Sequence, residues 1–348
     1  MTKYPDLLIE IQNGVGLITL NRPKALNALS FMMLKGIHET LIQWANHKDV
    51  RSVIIQGMGD RAFCAGGDVR SLYDAHLQGD HGFIQALFRE EYTLNYLIAT
   101  YPKPYIALMD GITMGGGCGV SVHGSHRVVT ENTIMAMPET GIGYFPDVGA
   151  SHFLSKCPDY IGLYLGLTGA RLNAADILFA SLADYFVPAA AINAVRDQII
   201  SGDPIETVLL AHQDVPEEGM LTDLQAEIDH CFAASSVSEI MILLQVIDAS
   251  WAQKALKTLK NNSPFNLEIT YKLLNLKDTN SRESLIGDLR ISWRLIEMPD
   301  FYEGVRAVLV DKDNAPHWHP ERFDMVSQDE IVSCFEPLGI DELELAPL

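Results

Sequence analysis

The sequence predicts an α/β body followed by a mostly helical C-terminal region. In the first half of the chain, short β-rich runs alternate with segments whose apolar residues recur at helical spacing. After about residue 188 only amphipathic helical patterns remain, and turns rich in Gly, Pro and Asn separate them. We therefore predict one domain at residues 1–188 and a helical domain at residues 189–348.

The elements of the first half follow from local signals. Asn13 and Gly14 suit a hairpin turn, Ser30 suits a helix N-cap, and Pro102 and Pro104 end a helix. Asp68, at the end of a predicted loop over residues 57–68, could cap a further helical segment. In order, the predicted elements are strands at 7–12 and 14–20, a helix at 31–47, a strand at 52–56, a helix at 83–99, and strands at 105–109, 126–131 and 133–137.

The second half is predicted to contain helices only. Three turn-forming segments, at residues 202–204, 215–219 and 261–264, punctuate it. The predicted helices lie at residues 190–201, 221–233, 238–260, 264–277 and 282–298. We expect this C-terminal domain to cap the ligand pocket of the first domain.

Composition restricts the class of protein. The chain has 348 residues, 48% of them hydrophobic, so it can bury a large core. Asp and Glu outnumber Lys and Arg by 45 to 25, and the net charge of −20 disfavours nucleic acid as a partner. No apolar run approaches the roughly 18 residues of a membrane span, and the start lacks the pattern of a secretory signal. We expect a soluble, cytoplasmic protein that does not bind membranes.

The five cysteines predict neither a disulfide framework nor a zinc site, because they are scattered and none forms a CxxC pair. Cys64 and Cys118 lie in Gly-rich loops, so one of them could be a nucleophile, although small apolar filler is the favoured interpretation. No metal or cofactor motif is present, and we expect neither group.

Two glycine-rich loops could bind negative charge. Residues 63–68 precede a predicted helix, and residues 115–117 follow the strand at 105–109. Glycines leave backbone N–H groups unshielded, and an oxyanion hole usually needs two such donors. The alternative for each loop is a tight strand-to-helix turn.

Two acids, Glu139 and Asp147, lie in a loop rich in turn formers at residues 137–147. Apolar neighbours would desolvate Glu139 and favour proton transfer near neutral pH, although a surface acid or an N-cap is the alternative. Asp147 precedes a predicted helix at residues 148–154, so it could be the N-cap of that helix. Acids beside exposed N–H groups are the parts needed to attack or deprotonate a carbonyl compound.

A second pair of acids, Glu90 and Glu91, lies on the predicted helix at residues 83–99. A solvated, charged helix face is the ordinary explanation of such a pair. Apolar neighbours at Leu87, Leu94 and Leu97 allow the alternative that one carboxylate is buried.

These segments resemble a known family. Residues 21–29, 63–68 and 114–119 resemble the signatures of the crotonase (enoyl-CoA hydratase/isomerase) superfamily, over roughly residues 5–190. Residues 88–92, 104–117, 137–147 and 303–313 resemble the 3-hydroxyisobutyryl-CoA hydrolase family. The second resemblance extends over most of the chain.

The resemblance implies a spiral of ββα turns that holds an acyl-CoA thioester. It places the oxyanion hole at the N–H groups of Gly67 and Gly116 and the acyl site at Glu91, Gly116, Glu139 and Asp147. Glu139 corresponds to the essential carboxylate, and Asp147 to a second acid associated with hydrolysis and with the substrate hydroxyl.

The resemblance also places the adenosine end of the substrate near Lys24, Ala25 and Leu26. It identifies no basic residue for the ribose phosphate. A homo-oligomer is compatible with the sequence.

One position separates this chain from the hydratases of the superfamily. Enoyl-CoA hydratases use two glutamates; Gly119 occupies the position of the first, and Glu139 that of the second. The resemblance therefore implies hydrolysis of a branched 3-hydroxyacyl-CoA, most simply the 3-hydroxyisobutyryl-CoA of valine breakdown. An isomerase or hydratase that uses Glu139 alone, and a non-catalytic binder of acyl-CoA or RNA, are the alternatives; the charge of −20 disfavours RNA.

Overall fold

The structure, a computed structural model, describes residues 3–276 and 279–347. Its strands form two sheets that share one architecture of short, mostly parallel strands. The strands are β1 Leu7–Gln12, β2 Val15–Leu20, β3 Ser52–Gly57, β4 Ala62–Cys64, β5 Tyr105–Met109, β6 Ile112–Met114, β7 His126–Val129, β8 Ile134–Ala136 and β9 Tyr185–Phe186.

The larger sheet has the order β1-β2-β3-β5-β7-β9 and is parallel except for the β1–β2 hairpin, and the smaller one has the parallel order β4-β6-β8. The consecutive pairs β3/β4, β5/β6 and β7/β8 each give one strand to each sheet. The chain therefore advances as a spiral of stacked turns, which confirms the predicted fold class.

Helices surround the sheets and make up the C-terminal region. They are α1 Phe31–Ala45, α2 Val69–Leu77, α3 His81–Ala99, α4 Gly116–Gly119, α5 Ala150–Phe153, α6 Ile161–Thr168, α7 Ala174–Phe179, α8 Ala189–Ser201, α9 Ile205–His212, α10 Leu221–Phe232, α11 Val237–Gln245, α12 Ser250–Asn261, α13 Pro264–Leu274, α14 Ser281–Leu295, α15 Pro299–Val305 and α16 Gln328–Ser333.

The local signals act as predicted at three sites. Asn13 and Gly14 both adopt positive φ in the hairpin turn, at 45° and 81°. The Ser30 side chain accepts a hydrogen bond from the Met33 N–H at the start of α1, and the Asp68 side chain accepts one from the Ser71 N–H at the start of α2. These caps fix where both helices begin.

Several predicted boundaries are wrong. The loop at residues 57–68 contains β4, whose three residues are too few to show an alternating pattern. The helix at 238–260 is two helices, because Ala249 is extended between α11 and α12, and α9 was not predicted. The helix predicted at 264–277 ends at Leu274, and its predicted end at residue 277 lies outside the described residues.

One hydrophobic core runs from the spiral into the C-terminal helices. Helix α14 packs along α3, so the C-terminal region lies against the long helix of the first half. Helices α8 and α9 instead cover the large sheet through Val195, Ile199, Val208 and Leu209. The last strand ends at Phe186, and the domain division at residues 188 and 189 stays a prediction.

No helix within residues 3–276 and 279–347 combines the length and apolar character needed to cross a membrane.

Candidate active site

A cavity of about 400 Å³ lies between the two glycine loops, helix α3 and the C-terminal region. Every acid and glycine predicted for the acyl site lines it, and no basic side chain is among its described lining residues. The residues that line the cavity include Gly67, Glu91, Gly115, Gly116, Glu139, Tyr144, Asp147, Phe301, Val308 and Leu309.

The smaller sheet brings the two glycine loops together. Strands β4 and β6 pair in parallel, so the loops that follow them leave the same edge of the sheet. A Cβ atom built on Gly116 would lie 3.2 Å from the Gly67 nitrogen and 2.6 Å from Glu91 Oε1. The two backbones and the Glu91 carboxyl therefore lie close together, and any side chain at position 116 would have to displace the Glu91 carboxyl and press on the Gly67 nitrogen.

The N–H groups of Gly67 and Gly116 are available to a ligand. Among the described residues, neither donates to a carbonyl outside the regular elements, and Gly116 is the first residue of α4, where a helix leaves its N–H unpaired. A Cβ atom built on Gly67 would meet no atom within 4 Å, so open space adjoins it. Two neighbouring N–H groups without partners in the described part of the chain could together donate to one oxyanion, and the predicted oxyanion hole stays a prediction.

Glu139 begins a 3₁₀ turn, Glu139–Ile142, directly after β8 and Pro138. Its side chain is only 7% exposed, and its Oε2 has no hydrogen-bond partner among the described residues. Burial raises its pKa well above the ordinary range, and the nearby Asp147 and Glu91 carboxylates raise it further. The surface-turn interpretation of Glu139 is therefore wrong, and the acid is desolvated as a base requires.

Glu91 and Glu90 point in different directions from α3. Glu91 is buried against the cavity, and its pKa is raised by burial and by the Asp147 carboxylate. Glu90 Oε1 lies 2.7 Å from His38 Nδ1. Of the two interpretations of this pair, the buried carboxylate is the one that the structure bears out, and it is Glu91.

Asp147 is buried, at 6% exposure, and its Oδ2 accepts a hydrogen bond from the Tyr92 hydroxyl at 2.7 Å. Burial raises its pKa, and the Tyr92 hydrogen bond opposes that rise. The predicted helix at 148–154 is shorter and begins after Gly149, with no side-chain cap. The N-cap interpretation of Asp147 is therefore wrong.

A buried hydroxyl network supports Asp147 from behind. The Tyr92 hydroxyl lies 2.7 Å from Ser292 Oγ, and the Tyr144 hydroxyl donates to Ser292 Oγ at 2.6 Å. Ser292 Oγ is also 2.7 Å from the Asp288 carbonyl, one turn earlier on α14. Sequence reasoning missed this network. Tyr92 and Tyr144 lie in quoted motifs, but no local signal identifies Ser292.

The C-terminal region also forms one wall of the cavity. Phe301 comes from α15, and Val308 and Leu309 come from the π-helical turn Arg306–Val310 that follows it. The Arg306 guanidinium holds this turn by pairing with Glu303. The expectation that C-terminal residues cap the pocket agrees with this placement.

The residues predicted for the adenosine end lie beside the cavity rather than on it. Lys24 and Ala25 are exposed in the 3₁₀ turn Pro23–Ala25, and the Leu26 carbonyl accepts from the Ala65 N–H at 3.0 Å. That bond ties the segment to the first glycine loop. Its role in binding stays a prediction.

The cysteines near the cavity are thiols. Burial raises the pKa of Cys64 to about 12 and that of Cys118 well above its ordinary value. Both are completely buried, which agrees with their interpretation as apolar filler. No group of three or more His, Cys, Asp or Glu within the described ranges is arranged to hold a metal ion, and the expectation of no cofactor stays a prediction.

The family model described as enoyl-CoA hydratase/isomerase matches residues 15–335. The chain belongs to that family.

Three curated relatives of the chain share one name. The chain is similar to the mitochondrial 3-hydroxyisobutyryl-CoA hydrolase of Gallus gallus, at 42% identity over 98% of this chain and 91% of that protein. It is similar to the protein of the same name from Xenopus tropicalis, at 45% identity over 99% and 92%. The Homo sapiens relative is 38% identical over 99% and 93%.

Two solved structures of the family have the same fold over nearly the whole chain. One is an enoyl-CoA hydratase from Rhodobacter sphaeroides, with a TM-score of 0.92, 40% identity, and coverage of 98% of this chain and 100% of that one. The other is a carnitinyl-CoA dehydratase from Mycobacterium thermoresistibile, with a TM-score of 0.92, 38% identity and coverage of 98% of both chains. The names of these two structures imply different reactions. Family membership therefore does not identify the reaction, which has to be inferred from the residues of the site.

Gly119 occupies the position at which the resemblance places the first glutamate of the enoyl-CoA hydratases. A Cβ atom built on Gly119 would lie 2.8 Å from Asn95 Nδ2 and 2.9 Å from Val148 Cβ. Position 119 therefore has no acid and no space for one.

Proposed function

We propose that the protein hydrolyses 3-hydroxyisobutyryl-CoA, or a related short branched 3-hydroxyacyl-CoA, to the free hydroxy acid and CoA. One observation carries the proposal: Glu139 and Asp147 face a cavity that also exposes the Gly67 and Gly116 N–H groups, while position 119 lacks the hydratase acid. In valine breakdown this reaction would release the hydroxy acid from its CoA carrier.

The glycine pair would polarise the thioester. A carbonyl oxygen that accepts from both N–H groups gains negative charge as the carbonyl carbon becomes tetrahedral. Removal of one such donor typically costs about 2.7–4 kcal/mol of transition-state stabilisation. Because both donors are backbone groups, they are already in place before the substrate arrives.

Glu139 would carry the reaction at the carbonyl carbon. It either attacks the carbon to give a mixed anhydride, which water then hydrolyses, or takes a proton from the attacking water. Its desolvated carboxylate suits both routes, because the raised pKa makes the ionised form a stronger base. In both routes one water is consumed, and one free acid and one thiol are formed.

Asp147 and Glu91 would hydrogen-bond to the substrate hydroxyl or position the attacking water. Both are buried carboxyl groups at the cavity, and each can hydrogen-bond to a hydroxyl. A site built to bond a hydroxyl can reject an analogue that lacks it by roughly 10⁴–10⁵. A strong preference for 3-hydroxyisobutyryl-CoA over isobutyryl-CoA is therefore part of the proposal.

The decisive experiment measures free thiol. The protein is incubated with 3-hydroxyisobutyryl-CoA, isobutyryl-CoA, crotonyl-CoA and a 3-enoyl-CoA, and thiol release is followed with a chromogenic disulfide. We expect rapid release from the first substrate only. Release at an equal rate from isobutyryl-CoA would contradict the role of Asp147 and Glu91.

The second candidate is an isomerase or hydratase that uses Glu139 alone. The similarity of the chain to the enoyl-CoA hydratase structure from Rhodobacter sphaeroides favours this candidate. In the same experiment, loss of the crotonyl-CoA double bond without thiol release would establish that activity. A non-catalytic acyl-CoA binder would bind all four thioesters and change none. The crowded environment of Gly119 is the observation against addition of water.

Four further expectations remain part of the proposal. The CoA adenosine would lie near Lys24, Ala25 and Leu26, and the protein would act without a metal or cofactor. A cytoplasmic location stays a prediction, and the printed names of the curated relatives place those proteins in mitochondria. The assembly would be a monomer or a homo-oligomer.

A further inference from the structure

The backbone that follows Asp147 is held in an unfavourable conformation. Val148 has a φ of 50° and Gly149 a φ of 85°, so two successive residues are left-handed. A β-branched residue such as valine rarely adopts positive φ, because its Cβ substituents meet the backbone. Val148 is also fully buried, so surrounding groups must maintain this conformation.

Two side chains, His123 and Asp288, are hydrogen-bonded to the peptide unit between Val148 and Gly149, and we call this pair the clamp. His123 Nε2 lies 2.7 Å from the Val148 carbonyl oxygen, and the Gly149 N–H donates to Asp288 Oδ2 at 2.7 Å. The carbonyl and the N–H belong to the same peptide unit, so His123 and Asp288 hold it from opposite sides.

The charge state of His123 suits the clamp. Burial lowers the pKa of His123 to about 4, so the ring is neutral and carries one N–H. Because Nε2 faces a carbonyl oxygen, the proton lies on Nε2 and the ring donates. The Val148 carbonyl therefore keeps its donor throughout the neutral pH range.

The two clamp residues come from distant parts of the chain. His123 follows the glycine helix α4 in the spiral, and Asp288 lies on α14 in the C-terminal region, one turn before Ser292. The turn itself closes through the Ala150 N–H, which donates to the Asp147 carbonyl at 2.9 Å. The backbone position of Asp147 thus depends on both halves of the molecule.

We propose that His123 and Asp288 are positioning residues, which fix the Val148–Gly149 peptide and through it the place of Asp147 in the cavity. The inference rests on the proposed function in one respect, namely that Asp147 acts on the substrate. Tyr92 orients the Asp147 carboxylate, whereas the clamp of His123 and Asp288 sets where its backbone lies.

The test compares variants of the clamp residues with variants of a histidine and an aspartate that make similar backbone hydrogen bonds elsewhere in the chain. His123→Ala removes the hydrogen bond to the Val148 carbonyl, and Asp288→Ala removes the acceptor of the Gly149 N–H. Asp288→Asn keeps an acceptor for that N–H. His152→Ala is the control for the histidine, since His152 Nδ1 donates to the Thr279 carbonyl at 2.8 Å. Asp176→Ala is the control for the aspartate, since its Oδ1 accepts from the Leu221 N–H at 2.8 Å.

We expect His123→Ala and Asp288→Ala each to lower kcat for 3-hydroxyisobutyryl-CoA by roughly 10–100-fold. Both should also reduce the preference for the hydroxylated substrate, because a displaced Asp147 carboxylate no longer contacts the substrate hydroxyl. Asp288→Asn should retain most of the kcat that Asp288→Ala loses. The two control variants should retain wild-type kcat and preference. Equal losses in the clamp and control variants would show a general stability effect and overturn the proposal.

Two measurements do not depend on the reaction. Amide hydrogen exchange at Gly149 should accelerate in His123→Ala and in Asp288→Ala, and stay unchanged in the controls. Adding Val148→Gly to His123→Ala should restore the slow exchange in part, because glycine adopts positive φ freely. If the wild type releases no thiol yet shows this exchange pattern, the function fails and the clamp stands. Unchanged exchange in folded clamp variants would overturn the clamp alone.

Discussion

The two acids of the candidate site, Glu139 and Asp147, have opposite surroundings. Glu139 Oε2 is buried with no hydrogen-bond partner among the described residues. Asp147 accepts from Tyr92, which belongs to a network of hydroxyls. The proposed function accounts for this difference by a division of labour: Glu139, whose Oε2 has no partner within the described ranges, would react, and Asp147, held by Tyr92, would position the substrate or the water.

The comparison also separates the two halves of the chain. Glu139 lies among elements of the spiral, next to Gly115, where a Cβ atom would lie 2.7 Å from Glu139 Oε1. Asp147 depends on α14 through Ser292 and Asp288. Under the proposed function, the spiral would provide the oxyanion donors and the reactive acid, and the C-terminal region would add support for the second acid.

The largest effect is expected for Glu139→Gln. The amide can neither attack the thioester nor accept a proton, so kcat should fall by roughly 10⁴ while substrate binding persists. Thiol release measures the first quantity and calorimetric titration with the substrate the second. Glu268→Gln, at a half-buried glutamate whose pKa is also raised by burial, is the control. A loss of similar size in that variant would contradict the division of labour.

Gly116→Ala should have the next largest effect. Its methyl group would lie 2.6 Å from Glu91 Oε1 and 3.2 Å from the Gly67 nitrogen, so the oxyanion donors must separate. We expect kcat to fall by about 10²–10³, as for removal of one donor. Gly287→Ala is the matched control, because a Cβ atom there meets nothing within 4 Å. Its kcat should be unchanged.

Tyr92→Phe should have a moderate effect, on the order of 10-fold in kcat, because it removes one hydrogen bond to a carboxylate. The lost donor favours the charged form of Asp147, so its removal raises the Asp147 pKa further. The acid limb of the pH–rate profile should therefore move to higher pH. Tyr101→Phe, which removes a hydroxyl that donates to the Leu41 carbonyl, should leave that limb in place.

The smallest effect is on stability, and it distinguishes the two acids directly. A carboxyl group whose pKa is raised by folding contributes stability below its unfolded pKa, and this stability is lost as pH rises through the folded pKa. Glu139→Gln should therefore raise the melting temperature at pH 8 and leave it unchanged near pH 4.

Asp147→Asn should give a smaller gain at pH 8, because the Tyr92 hydrogen bond already stabilises the charged form of Asp147. Thermal unfolding of the three proteins at both pH values measures the difference. A larger gain for Asp147→Asn would reverse the comparison between the two acids.

Local chemistry explains which parts of the site could be predicted from the sequence. Each glycine loop can be recognised because the glycines that leave its backbone N–H groups unshielded are adjacent in sequence, and Glu139 is marked by the apolar residues in its own loop. Asp147 was open to interpretation as a helix cap, because its partners are distant. Tyr92 and Ser292, which share one hydrogen bond in its support, are 200 residues apart. No periodicity or turn signal reports such a contact.

The difference between local and distant contacts also explains which elements of the fold were predicted correctly and which were not. The β1–β2 hairpin and the starts of α1 and α2 follow from turn and capping residues that act within three or four positions. Strand β4 is stabilised by pairing with β6 rather than by its own pattern. The break between α11 and α12 was hidden because both helices bury apolar faces in one core.

The crowding around Gly119 has a consequence for how this site could change its chemistry. A glutamate at that position alone would collide with Asn95 and Val148, and Val148 lies in the strained turn that places Asp147. A two-glutamate site would therefore require smaller side chains at positions 95 and 148 as well as a glutamate at position 119. Space must be made at those two positions before the glutamate can be accepted, so the order of the substitutions decides whether the site can change its reaction.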